Sequence, residues 1–221
     1  DGYASYAYTA VDLAGNTTTV TSASSNIRID NTVPVLTTVE ISSNNTINGV
    51  ANPTWAKTGN SVTVLIVANE TLIGNPTITI GGRGGGDVTI TNVGGDLRTY
   101  TGLHAMDNTD TEGAVTFTIA FQNAHGLVGT TITDDGSGST TTNSSSVTYD
   151  RQAPTLDGVT ISTNNTNSAY AKEGSIITLA FTAANTENLL ADPTVTILGE
   201  DADAVSGSGA SWTATYTAAT G

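Results

Sequence analysis

The chain predicts an all-β protein built from antiparallel sandwiches or barrels. Three observations carry this reading. β-branched and aromatic residues alternate with period two, no window shows an i, i+3, i+4, i+7 stripe, and the sequence repeats itself in units of sandwich size. Strand signals fall at SVTVLIVA (61–68), PTITI (76–80), DVTITNV (87–93), AVTFTIAF (114–121), SIITLAFTA (175–183), PTVTI (193–197) and SWTATYT (211–217). Most are bounded by Gly, Asn, Asp or Pro, the residues that turn a chain between strands.

The repeat sets the domain organisation. IDNTVPVLTTVEISSNN (29–45) matches YDRQAPTLDGVTISTNN (149–165), AKTGNSVTV (56–64) matches AKEGSIITL (171–179), and NPTITIGG (75–82) matches DPTVTILG (192–199). Residues 32–150 form one whole copy. Residues 151–221 stop after the strand SWTATYT, where the first copy still has GAVTFTIAF and SSSVTYD to come. Residues 1–31 supply the equivalent of what is missing: DGYASYAYTAVDLAGN aligns with EGAVTFTIAFQNAHGL (112–127), and SSNIRID (24–30) with SSSVTYD (144–150). The expected domains are therefore a complete one at 32–150 and a split one, its first strands at 151–221 and its last at 1–31, in circularly permuted phase.

Half a sandwich alone exposes an unpaired edge and half a core, which folded chains avoid. If the domains lie end to end, the two halves cannot meet within one chain, and copies should complete each other head to tail. Such heterologous contacts give an open filament unless they close into a ring. A longer covalent array of the same repeat is an equally economical reading, and both give a fibre. The expected partner is thus another copy of the chain.

Composition limits the other partners. Twenty acids against six bases leave a net charge of −14, and Arg28, Lys57, Arg83, Arg98, Arg151 and Lys172 are scattered singly. Nucleic acid and anionic membrane surfaces need clustered bases, so neither is expected as a partner. No segment has the ~20 apolar residues of a spanning helix, so no membrane insertion is expected in this segment. DGYASYAYTA is not a signal peptide, which places any export signal outside the segment. With no cysteine, a hydrophobic core must hold each domain together.

Taken in order, D-x-x-x-P, V-x-I-S-x-N-N, A-K-x-G, P-T-(I/V)-T-I and V-D-L-A-G-N resemble the bacterial immunoglobulin-like repeats of large secreted adhesins and surface-layer-type filament proteins. The resemblance covers essentially the whole chain. It implies tandem immunoglobulin-like antiparallel β-sandwiches in a rod-like array outside a prokaryotic cell, often rigidified by calcium at domain junctions. The whole copy departs from the last motif: where the split copy has Asp12-Leu13-Ala14-Gly15-Asn16, it has Asn123-Ala124-His125-Gly126-Leu127.

Candidate sites follow. Calcium takes six to eight oxygens. Candidate ligands are Asp30 and Asp150, just before the Pro that opens each copy, with Asp12, Asp107, Asp110 and Glu112; Asp134-Asp135 and Glu200, Asp201 and Asp203 are further acid clusters. None matches an EF-hand, and Asx turns or solvated loop acids are the plainer reading. The N-x-S/T triplets at Asn16, Asn44, Asn69, Asn143 and Asn164 are candidate glycosylation sites. No catalytic residue and no organic cofactor is expected. His104 and His125 lack a partnering acid or nucleophile at a recognisable spacing and read as surface or turn residues, and GGRGGGD (81–87) reads as a flexible, inert hairpin tip. The equivalent lysines Lys57 and Lys172 read as solvated charges at strand starts rather than as isopeptide partners. Trp212 and Tyr216 alternate, so this strand is expected to fill the split domain's core. The expected role is a structural repeat of an extracellular filament, sheath or adhesin stalk; the alternative is a ligand- or carbohydrate-binding adhesin module, with a surface glycan or receptor unidentified.

Overall fold

A computed structural model describes residues 2–22, 27–184, 189 and 192–219. The chain divides into two compact units, residues 1–151 and 152–221. The termini at the expected seam lie outside the described residues, as do residues 23–26 of the aligned segment.

In the first unit the strands run β1 (Gly2–Tyr3), β2 (Tyr6–Val11), β3 (Thr17–Ser22), β4 (Arg28–Ile29), β5 (Leu36–Ser43), β6 (Thr46–Ile47), β7 (Val50–Ala51) and β8 (Trp55–Ala56). They continue with β9 (Ser61–Ala68), β10 (Thr77–Ile80), β11 (Thr89–Asn92), β12 (Thr99–Ala105), β13 (Gly113–Ala114), β14 (Phe117–Ala120), β15 (Ile132–Asp134) and β16 (Thr148–Tyr149). One sheet has the order β11-β12-β9-β5 and the facing one β10-β14-β15, with a third ladder β13-β16-β8. Lettered in chain order, those are D-E-B-A and C-F-G, the constant-type arrangement of the immunoglobulin sandwich. The fold is an immunoglobulin-like β-sandwich.

Alternation explains why these residues take these places. Along β9 every second side chain is buried: Val62, Val64, Ile66 and Ala68 point inward while Ser61, Thr63, Leu65 and Val67 are partly exposed. They meet Val39 and Ile41 of β5, Ile78 and Ile80 of β10, and Phe117 and Ile119 of β14 in one core. Burying each such side chain contributes about 1.5–3 kcal/mol. β12 is a strand that the runs above omit, because Gly102 breaks its pattern. That glycine makes room for close packing, since an added Cβ would lie 3.0–3.2 Å from the Ile78 side chain and force it to shift.

The outer edge of β5 is covered by the loop after β15. Thr142 N–H donates to Val39 C=O, Val39 N–H to Thr142 Oγ1, and Ile41 N–H to Ser145 Oγ. Asp134, buried at the end of β15, holds that loop in shape. Its Oδ1 accepts from the amides of Gly136 and Gly138 at 2.8 and 3.1 Å, and its Oδ2 from the amide and hydroxyl of Thr140 at 3.0 and 2.8 Å. Asp134 is therefore not a solvated loop acid.

The second unit contains β17 (Leu156–Thr163), β18 (Ile176–Ala183), β19 (Thr196–Ile197), β20 (Glu200–Asp201), β21 (Ala204–Ser208) and β22 (Ser211–Thr217). Its main sheet, β17-β18-β22-β21, has the A-B-E-D order again. The registers agree as well: Phe181 pairs with Trp212 where Ile66 pairs with Tyr100. Even the clasp between the first two strands recurs, with Asn44 Oδ1 accepting from Ser61 N–H at 2.8 Å and Asn164 Oδ1 from Ile176 N–H at 2.9 Å.

Candidate functional site

The strands within residues 2–29 reproduce the last strands of the sandwich, but none of their described residues is buried. Gly2 pairs with Ile29 and Tyr3 with Arg28, as Gly113 pairs with Tyr149 and Ala114 with Thr148. Ala4 N–H donates to Ile27 C=O at 2.9 Å, and Val115 N–H to Val147 C=O at the same distance. The following turn matches too: Asp12 N–H to Asn16 C=O and Asn123 N–H to Leu127 C=O are both 2.9 Å. Tyr8 opposite Val20 corresponds to Ile119 opposite Ile132. Yet Tyr6, Tyr8 and Ile29 are 55%, 57% and 48% exposed, against 1%, 0% and 1% for Phe117, Ile119 and Tyr149. Two ladders with an apolar inner face therefore stand open.

The second unit shows the opposite deficit. Val159 and Ile161 of β17 are 55% and 68% exposed, where Val39 and Ile41 of β5 are 1% and 3%. Trp212 and Ala214 are buried, as the alternation of β22 predicts, along with Phe181 and Ile177 of β18, and Trp212 Nε1–H donates to Gly209 C=O at 3.0 Å. Beside this covered part lie two apolar grooves. One, of about 490 Å3, is lined by Leu156, Val159, Leu179, Phe181, Pro193 and Val195 among others. The other, of about 180 Å3, is lined by Ile161, Tyr170, Ala171 and Ile177 among others. Among the described residues β19 pairs, through Thr196 and Ile197, only with β20, whereas its counterpart β10 pairs along four residues with β14.

Most of the candidate calcium ligands are engaged by protein donors. Asp12 accepts from Ala14 N–H, Asn16 N–H and Asn16 Nδ2–H, and the last of these, the Asn16 side chain, leads in holding its carboxyl below the usual carboxylate range. Asp30 accepts from Asn123 Nδ2–H at 2.9 Å and from Thr32 N–H at 3.0 Å, with His125 Nε2 at 3.7 Å. Asn123 Nδ2 also reaches Glu70 Oε2 at 3.2 Å, and Glu70 Oε1 is buried without a hydrogen-bond partner. Asp107 accepts from Thr109, whose hydroxyl and amide lower its pKa, and Glu112 pairs with Arg151 at 3.4 Å. Asp150 is half-buried beside β8, its amide donating to Ala56 C=O. Among the described residues no group of three or more His, Cys, Asp or Glu converges as a metal site. Asn16, Asn44, Asn69, Asn143 and Asn164 are all exposed.

Two expectations need correction. His104 is neither on the surface nor without an acid: it is buried on β12, its Nε2 3.1 and 3.0 Å from the two oxygens of buried Asp110 and its Nδ1 3.0 Å from Asp87 C=O. Both ring nitrogens thus lie within hydrogen-bond distance of a partner. The GGRGGGD segment is likewise no free tip. It contains a 3-10 turn at Gly85–Asp87, and Arg83 reaches Asp110 at 3.3 Å and Thr109 C=O at 3.0 Å. His104 and Asp110, both buried, and the half-exposed Arg83 form a polar network with every polar atom of the ring and carboxylate engaged. It adjoins no nucleophile of the kind hydrolases use, and it serves to fasten loop 81–87 to loop 106–112.

No family model matches the chain, and no curated protein matches it. Among solved structures it is similar to tandem immunoglobulin domains of titin, at 11% identity and a TM-score of 0.29, covering 84% of this chain and 81% of that one. The fold assignment rests on strand order and register, and both units carry the four-stranded sheet of that order.

Proposed function

We propose that the chain is a structural repeat unit of an extracellular filament, sheath or adhesin stalk, with residues 2–29 of one copy completing the second unit of the next. One observation carries this: the apolar residues left exposed in both pieces are the counterparts of residues buried in the first unit's sandwich. The absence of cysteine, the Thr- and Asn-rich composition and the net charge of −14 fit a secreted structural protein. The protein acts mechanically, through backbone ladders and closed cores, and is no enzyme. Sedimentation and negative-stain microscopy test the reading: oligomers should lengthen with protein concentration and appear as unbranched threads. A strict monomer at about 100-fold the concentration of the first measurement would overturn it.

Calcium enters this reading at the seam. In the first unit the Asn123 amide donates to Asp30. In the completed copy Asp12 takes the place of Asn123 and Asp150 that of Asp30, and a carboxylate cannot donate to a carboxylate. A bound cation resolves that repulsion with oxygens it favours. Chelation should therefore shorten the oligomers and added calcium restore them, with the melting of residues 32–150 unmoved; equal length in both arms removes calcium from the proposal.

The alternative, a carbohydrate-binding adhesin module, draws on Tyr6 and Tyr8, which share the exposed face of β2. The two readings compete for the same rings. A glycan that binds the unassembled chain and shortens the oligomers would favour the alternative, because assembly buries the same rings.

A further inference from the structure

Resting on the head-to-tail reading, the geometry points to one register for the seam, which we infer strand by strand from the complete sandwich. In the first unit β10 pairs with β14 as Thr77–Ala120, Ile78–Ile119, Thr79–Thr118 and Ile80–Phe117. The repeat carries Thr77–Ile80 onto Thr194–Ile197, and Phe117–Ala120 onto Tyr6–Thr9. The seam therefore pairs Thr194 with Thr9, Val195 with Tyr8, Thr196 with Ala7 and Ile197 with Tyr6 of the neighbouring copy. Tyr8 enters the larger groove, which Val195 already lines. Docking also extends β19 from two residues to four, supplying the partner that β10 finds in β14.

A second contact is fixed independently. β16 pairs in parallel with β8, Thr148 with Trp55 and Tyr149 with Ala56. The counterparts are Arg28 and Ile29 against Tyr170 and Ala171 of the other copy. Ile29 then fills the smaller groove, lined by Ile161, Tyr170, Ala171 and Ile177 among others. A one-residue slip at either contact would turn Tyr6, Tyr8 and Ile29 back to solvent, because successive strand residues face opposite ways. The two grooves and the two ladders thus specify the same alignment.

The absence of cysteine makes the register directly readable. Thr79 and Thr118 face each other with their hydroxyls 2.6 Å apart, so Ala7→Cys combined with Thr196→Cys places a thiol pair across the seam. Oxidation of this double variant under native conditions should give a ladder of disulfide-linked oligomers, at least tenfold more than Thr9→Cys with Thr196→Cys, which is displaced by two residues. Efficient cross-linking of the displaced pair, with assembly intact, overturns the register and leaves the filament reading standing. Concentration-independent monomers carrying an internal disulfide overturn the neighbouring copy as partner. Absence of both cross-links and of oligomers in sedimentation overturns the filament reading itself.

Discussion

Tyr8→Asp and Ile161→Asp should each abolish head-to-tail assembly while leaving the melting of residues 32–150 unchanged. Both side chains are more than half exposed in the single chain, so neither substitution removes a packed group, and each should move folding stability by no more than about 0.5 kcal/mol. At the seam the same changes are severe. A carboxylate forced into an apolar groove forfeits roughly 1.5–3 kcal/mol of burial and adds a desolvation cost of several more. At 1.4 kcal/mol per tenfold, association should weaken by about 100-fold or more. The decisive measurement is the mixture. Tyr8→Asp retains a sound groove and Ile161→Asp a sound pair of ladders, so together they should form dimers and nothing longer, seen as one new species in sedimentation. Full-length oligomers from either variant alone would remove the grooves from the assembly.

The second large effect concerns Asp134. Burial by itself raises its pKa, but the Thr140 amide and hydroxyl and the Gly138 and Gly136 amides outweigh that and hold it below the ordinary carboxylate value of 3.8. A carboxyl with a depressed native pKa adds stability that is present above pH about 4 and is lost as pH falls through the native value. Acid unfolding of the first unit should therefore set in below pH about 4, with a shallower dependence in Asp134→Asn. Asp134→Ala goes further, since it leaves four donors without their acceptor at a cost of about 1–3 kcal/mol for each that stays buried. A loss of about 3 kcal/mol, or roughly 10 °C in the thermal midpoint, is expected. A midpoint within about 2 °C of the parent would show that water replaces the carboxylate and that this turn does not hold the loop.

Strands that alternate cleanly were legible in the sequence, and β9, β18 and β22 lie within a residue of the runs that mark them. β12 was not, because Gly102 fits a place occupied by a neighbouring sheet's isoleucine, and a contact between sheets leaves no local trace. The repeat led to the expectation of a split phase, on which the proposed assembly rests. What it could not convey was the state of each inner face, which depends on three-dimensional exposure. The histidine network was within reach: Tyr100, Gly102 and His104 share parity on β12, so a buried tyrosine two turns of the pleat away implies a buried histidine. Its partner Asp110 lies in a loop, where no period operates. Asp134 was also readable in principle, since glycines two and four residues on free the backbone to curl its amides around one carboxylate.

The loop that Asp134 organises has no room to recur in the split copy. Tyr149 lies 26 residues beyond Asn123, but Ile29 lies only 17 beyond Asp12. In the first unit those extra residues run alongside β5 and occupy its outward amides and carbonyls. A completed split domain would close its core and still leave β17 with one flank unshielded, once per repeat along the thread. Threads would then meet side by side at regularly spaced docking strips, held apart mainly by the −14 charge of each copy, so bundling should follow ionic strength.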